Sequence, residues 1–133
     1  MDAPTSGTTL ARVMLSRDAR SVSEARGFTR RTLTTWRLPT MIDAVVLVVS
    51  EMVTNAVRYG EEPLELALHR RAHDLRIDVA DANPSPAARS GTPSGDSSAE
   101  SGRGLAIVTA VADDFGWVDV PDDGKVAFAS FAL

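Results

Sequence analysis

The sequence predicts a two-layer α/β sandwich, with a mixed, mostly antiparallel sheet carrying three helices on one face. Three observations predict it. Strand-like alternation comes mainly in adjacent pairs joined by short turns, and such pairs run antiparallel. One long segment, 41–59, is apolar nearly all round at helical spacing, the mark of a helix covered on every side. The periodicities also follow an α/β order: strand, two helices, two strands, long loop, helix, two strands.

Residues 1–9 are small and polar and read as a frayed terminus, leaving 10–133 as one domain. LARVML, Leu10 to Leu15, reads as a first strand. Asp18 to Trp36 is helical, with Val22, Ala25, Phe28, Leu33 and Trp36 near helical spacing. Arg17, Arg20, Arg26, Arg30, Arg31 and Arg37 read as a solvated face of that helix. Leu38-Pro39-Thr40 breaks it, and Thr40 is the expected N-cap of the next helix, with Asp43 three residues on. That helix runs from about Met41 to Tyr59, and Gly60 is a natural stop. Leu64–His69 and Leu75–Ala80 alternate and form a hairpin across a polar turn.

PSPAARSGTPSGDSSAESG, residues 84–102, has no apolar period. A loop this long inside a compact domain is commonly a lid or binding loop. Gly104 to Ala112 reads as a short apolar helix. Phe115–Val120 and Lys125–Leu133 read as a closing hairpin, with Lys125 at its turn.

Composition narrows the function. A chain of 133 residues, 44% hydrophobic, fills one core. With no cysteine, disulfides, thiolate metal sites and cysteine nucleophiles are excluded. A net charge of −4 disfavours a general nucleic-acid role. No apolar run approaches the roughly 20 residues of a membrane helix, and the start lacks signal-peptide features. The expectation is a soluble, cytoplasmic protein without membrane contact.

Within the apolar helix, Glu51 and Asn55 stand one turn apart on one face, in the stripe that Thr54 and Arg58 extend. An isolated Glu-x-x-x-Asn is most often an ordinary exposed face. On a helix otherwise buried it points to a pocket wall. A carboxamide oxygen suits Mg²⁺, and a carboxylate can take a hydroxyl proton. Asp81 ends a strand and can accept a hydrogen bond from an amine, although Asp before Asn-Pro also starts turns. Gly102, Arg103 and Gly104 precede the expected helix, where backbone N–H groups and the helix dipole favour an anion. A lone Gly-x-Gly also occurs in any flexible loop. His69 and His73 do not share a helix face and make a poor metal pair. Trp36 and Trp117 read as core or interface residues.

The order of these motifs says more than any one of them. SEMVTNAVRYG (50–60), VADANP (79–84) and SGRGLAIV (101–108) together resemble the GHKL ATPase superfamily with its Bergerat fold. More narrowly, the chain resembles the small anti-sigma regulatory factors, serine/threonine kinases with a histidine-kinase-like ATPase domain. The likeness spans about residues 10 to 133.

The resemblance implies ATP and Mg²⁺ as cofactors. It implies Glu51 as catalytic base, Asn55 as the Mg²⁺ ligand, and Asp81 as acceptor from the adenine amine. Gly102, Arg103 and Gly104 would lie at the phosphates, with 84–102 as an ATP lid. Arg58, Asn83 and Leu105 complete the implied nucleotide contacts. The implied partners are a sigma factor and an anti-sigma factor antagonist, whose serine is phosphorylated. Relatives of this kind often dimerise. Two departures stand out: Asn83-Pro84 follows Asp81 where the family usually has a glycine, and the last strand, VAFASFAL, lacks the usual aromatic and acidic residues. The alternatives are a non-catalytic module whose partner affinity ATP regulates, and an ordinary α/β domain with coincidental motifs.

Overall fold

The computed structural model describes residues 8–83, 98–121 and 123–133, with backbone alone for 98–103. The elements are β1 (Thr9–Leu15), α1 (Arg20–Thr35), a 3₁₀ turn (Pro39–Met41), α2 (Ile42–Tyr59), β2 (Leu64–Arg70), β3 (Asp74–Asp81), α3 (Ser98–Val111), β4 (Asp114–Val120) and β5 (Gly124–Ala132). The five strands form one sheet in the order β1-β2-β3-β5-β4. Every pair is antiparallel, so the sheet is purely antiparallel rather than mixed.

Alternation decides which side chains meet the helices. Leu64, Leu66 and Leu68 of β2, Leu75, Ile77 and Val79 of β3, and Ala129 and Phe131 of β5 turn to the helical side. They meet Val45, Val48, Val49, Met52, Val53 and Ala56 of α2. Helix α2 also packs against α1 and α3, which is why its sequence is apolar nearly all round. From α1, Ala25 and Leu33 enter the core, and buried Thr29 returns its hydroxyl to the Ala25 carbonyl at 2.8 Å. The opposite face of the sheet is polar in part: Arg76 donates to Asp78 at 2.7 Å and stacks over Phe128.

The structure corrects several expectations. Residues Pro39–Tyr59 are long and apolar enough to cross a membrane by length and composition, with a mean hydropathy of 1.6, contrary to the sequence reading. Their apolar side chains form the centre of the core. Thr40 is not a cap: Pro39 opens a 3₁₀ turn that leads straight into α2, whose N-cap is Met41 with no side-chain hydrogen bond. Gly60 does end α2, but in extended geometry. Glycine is needed there for closeness, since a Cβ would stand 2.7 Å from the Ala56 carbonyl oxygen and 2.8 Å from Asp81 Cγ.

Helix α3 begins at Ser98, so Gly102, Arg103 and Gly104 lie inside it and not before its N-terminus. Interior glycines cost a helix about 1 kcal/mol each, which is why local propensity put the start later. The close packing of α3 on α2 outweighs that cost. Residues 84–97, most of the expected lid, lie outside the described residues, as do 1–7 of the expected frayed terminus.

The arginine series is not one solvated face. Arg17 caps α2 from outside α1, donating to the Val57 carbonyl at 2.8 Å and the Arg58 carbonyl at 3.2 Å. Arg37 takes the left-handed position (φ 61°) that closes α1, where the Leu38 N–H reaches the Leu33 carbonyl at 2.9 Å. Arg20 pairs with Asp18 at 3.1 Å.

Candidate functional site

The polar stripe of α2 forms the floor of a cleft of about 440 Å³. Its walls are Ser50, Glu51, Thr54, Asn55 and Arg58 from α2, Arg26 from α1, and Gly104 and Leu105 from α3. The i, i+4 spacing puts Glu51 and Asn55 one above the other, as the sequence requires.

Gly104 explains how α3 closes on the acid. A Cβ at that position would stand 2.5 Å from Glu51 Oε1. Only a residue without a side chain lets the α3 backbone approach the carboxylate this closely. The glycine therefore acts through helix packing and not through a helix N-terminus.

Asn55 lines this cleft. Its Oδ1 is buried and has no hydrogen-bond partner among the described residues. An orphaned carboxamide acceptor costs about 1–3 kcal/mol, and functional sites are where such costs are retained. The oxygen is a hard donor of the kind Mg²⁺ takes. Among the described residues no group of three or more His, Asp or Glu could hold a metal ion. One carboxamide oxygen beside the Glu51 carboxylate in an open cleft fits Mg²⁺ at Asn55 where a ligand completes the metal's shell. By contrast, Thr54 is satisfied locally, donating to the Ser50 carbonyl at 2.7 Å.

Asn55 also borders a second, much smaller hollow, of about 10 Å³. Met52, Ala56, Tyr59, Gly60, Val79, Asp81, Trp117, Lys125 and Ala127 surround it. Asp81 continues the alternation of Leu75, Ile77 and Val79, so it points under the end of α2. Lys125 is its direct partner on β5. The ammonium donates to Asp81 Oδ1 at 3.2 Å, and both side chains are buried. Gly124 makes this register possible: its φ is +105°, and a Cβ would stand 2.0 Å from the Asp81 carbonyl oxygen. Asn83 folds back, its N–H on Asp81 Oδ1 at 2.7 Å and its side-chain amide on the Tyr59 carbonyl at 2.8 Å.

The structure thus gathers Glu51, Asn55, Arg58, Gly104 and Leu105 around one cleft. Asp81 stands in the adjoining hollow and Asn83 behind it, capping α2. Gly102 lies in α3, and so does Arg103, whose side chain is not among those described. Sequence reasoning missed Arg26, Ser50 and Lys125. Arg26 donates from Nε to Ser50 Oγ at 3.2 Å on the cleft wall, which only α1–α2 packing shows. Lys125 is not a turn residue, and strand parity with Ala127, Ala129 and Phe131 was the signal available for it. Trp117 is half-buried and meets Phe115 edge-on at 4.8 Å, in keeping with a packing role.

Comparison with curated proteins gives no match. The profile of the Histidine kinase-like ATPase domain matches residues 15–129. That range holds β1's last residue, all three helices and nearly all the remaining sheet, and with them the cleft, the orphaned Asn55 and the Asp81 hollow. A family defined by ATP binding accounts for a polar cleft built on an otherwise buried helix, and the chain belongs to the histidine kinase-like ATPase domain family.

Proposed function

We propose that the chain is an ATP-dependent protein serine kinase that holds a sigma factor and phosphorylates an anti-sigma factor antagonist in the cytoplasm. The observation that carries the catalytic part is the cleft itself: Glu51 and Asn55 one turn apart, with the α3 backbone closed onto Glu51 at Gly104. The sequence resemblance supplies the partners.

In this reading Asn55 Oδ1 would hold Mg²⁺, which would supply charge neutralisation at the phosphates. Arg26 and Arg58 line the same cleft and favour the triphosphate. Glu51 takes the proton of the substrate serine hydroxyl as that oxygen bonds to the γ-phosphorus. The bond from that phosphorus to the β,γ-bridging oxygen breaks, and ADP leaves with the electron pair. Positioning and electrostatics do most of the work, because phosphoryl transfer needs little covalent help.

The test is incubation with labelled ATP and candidate antagonists. Transfer to serine is expected in the wild type and, in Glu51→Ala, a fall of about 10²- to 10⁴-fold with ATP binding kept. Binding without transfer to any cognate antagonist would sink the kinase reading and leave a nucleotide-regulated binding module.

A further inference from the structure

A lysine is seldom withdrawn from water unless paired. Lys125 is 3% exposed and its partner Asp81 7%. Nζ donates to Asp81 Oδ1 at 3.2 Å and to the Asn83 carbonyl. The same carboxylate oxygen also accepts the Asn83 N–H at 2.7 Å and, weakly, the Glu61 N–H at 3.4 Å. Asp81 is the one carboxylate among the described residues lining the hollow. Met52, Tyr59 and Trp117 help reduce that hollow to about 10 Å³. One water needs about 10–15 Å³, so a purine ring has no room while Lys125 is in place.

We propose that Lys125 sets the base selectivity of this chain: it occupies Asp81, keeps the base hollow shut, and leaves a nucleoside triphosphate held through its phosphates with the base unread. The inference rests on the reading of the larger cleft as a nucleotide site, and deepens it. Its chemistry is competitive. An exocyclic amine of a base is a neutral donor, whereas the Lys125 ammonium brings Asp81 a full countercharge together with its hydrogen bond. An amine reaching Asp81 would also strand an ammonium inside the protein. The base therefore loses to Lys125, while the cleft at Glu51, Asn55 and Gly104 stays open to phosphate.

The experiment is calorimetry on the full chain in Mg²⁺ with ATP, GTP and inorganic tripolyphosphate. Wild type is expected to bind ATP and GTP within about threefold of each other, because the base-competent state is scarcely populated. Lys125→Ser removes the cation and most of the side-chain volume. It is expected to create a preference for ATP over GTP of about tenfold or more, with tripolyphosphate affinity unchanged. Lys125→Arg keeps charge and bulk and should leave the wild-type ratio intact. A wild type that already prefers ATP tenfold overturns the proposal, as does a folded Lys125→Ser that gains no preference. If Lys125→Ser fails to fold, the wild-type ratio decides alone. Failure of wild type to bind tripolyphosphate is a different result: it removes the phosphate reading of the cleft, and this inference falls with it.

Discussion

The two ends of the α2 stripe are built on opposite plans. At the Glu51 end a side chain is missing: Gly104 leaves room, the cleft measures about 440 Å³, and the Asn55 oxygen is orphaned. At the Asp81 end a side chain has been added: Lys125 fills the hollow, and the carboxylate has its partner. Both ends hold a carboxylate beside a glycine. A polar group whose bonds are satisfied inside the chain is part of the fold. One left without a partner in a cleft can bond a ligand. The difference separates architecture from function where residue type does not.

The closed end should be the less tolerant of change. Gly124→Ala forces a Cβ against the Asp81 carbonyl oxygen and two Ala82 backbone atoms at a positive φ, and all three contact points are backbone. A loss of about 3–4 kcal/mol in unfolding free energy is expected, within the range of strained-backbone and overpacking substitutions. Denaturant melts would measure it. A loss below about 1 kcal/mol would mean that the β3–β5 register yields easily and that the closed end is not rigid.

At the open end the same substitution should split stability from activity. In Gly104→Ala the Cβ meets only the tip of a flexible side chain, Glu51 Oε1, so the carboxylate can swing away. Alanine in place of an interior helix glycine adds up to about 1 kcal/mol of stability. With Glu51 as the proposed base, the proposed phosphotransfer should nonetheless fall by about 10²-fold, the cost of displacing such a group by an ångström. Loss of stability with unchanged transfer would reverse the assignment of Gly104.

Asn55→Ala sharpens the contrast further. Its Oδ1 makes no hydrogen bond that the mutation could break. The melting free energy should stay within about 1 kcal/mol of wild type, while Mg²⁺-dependent ATP binding weakens. A large loss of stability would show that Asn55 serves the fold.

How much of this was legible follows from the same contrast. Glu51 and Asn55 could be read directly, because two polar residues at i and i+4 stand out on an apolar helix. The hairpins followed from alternation, and α2 from its all-round apolarity. Local rules misplaced the start of α3, since glycines at 102 and 104 weaken a helix whose support comes from α2. Arg26 is one arginine among several in α1, and nothing nearby in sequence distinguishes it. Lys125 shares the parity of Phe131, yet its neighbour Gly124 gives a turn signal. What escaped the sequence was contact between elements, at Lys125 with Asp81 and at Arg26 with Ser50.

The smallest effect belongs to a satisfied pair that water reaches. In the β2–β3 turn, Arg71 donates to both Asp74 oxygens at 2.7 Å. Hydrogen bonding from Arg71 holds the Asp74 carboxyl below its ordinary value, against a smaller opposing effect of burial. A carboxyl lowered in the folded state contributes stability above its unfolded pKa, and loses it as pH falls through the folded one. Asp74→Asn should therefore cost under about 1 kcal/mol near neutral pH, given how exposed the pair is. That cost should vanish as pH falls through the folded-state pKa of Asp74, which lies below the ordinary carboxylate value, because wild-type Asp74 is then itself protonated. A cost that persists in acid would mean that Asp74 shapes the turn rather than pairing charge. Asp74 would then stand with Asp81, as a carboxylate the fold has absorbed.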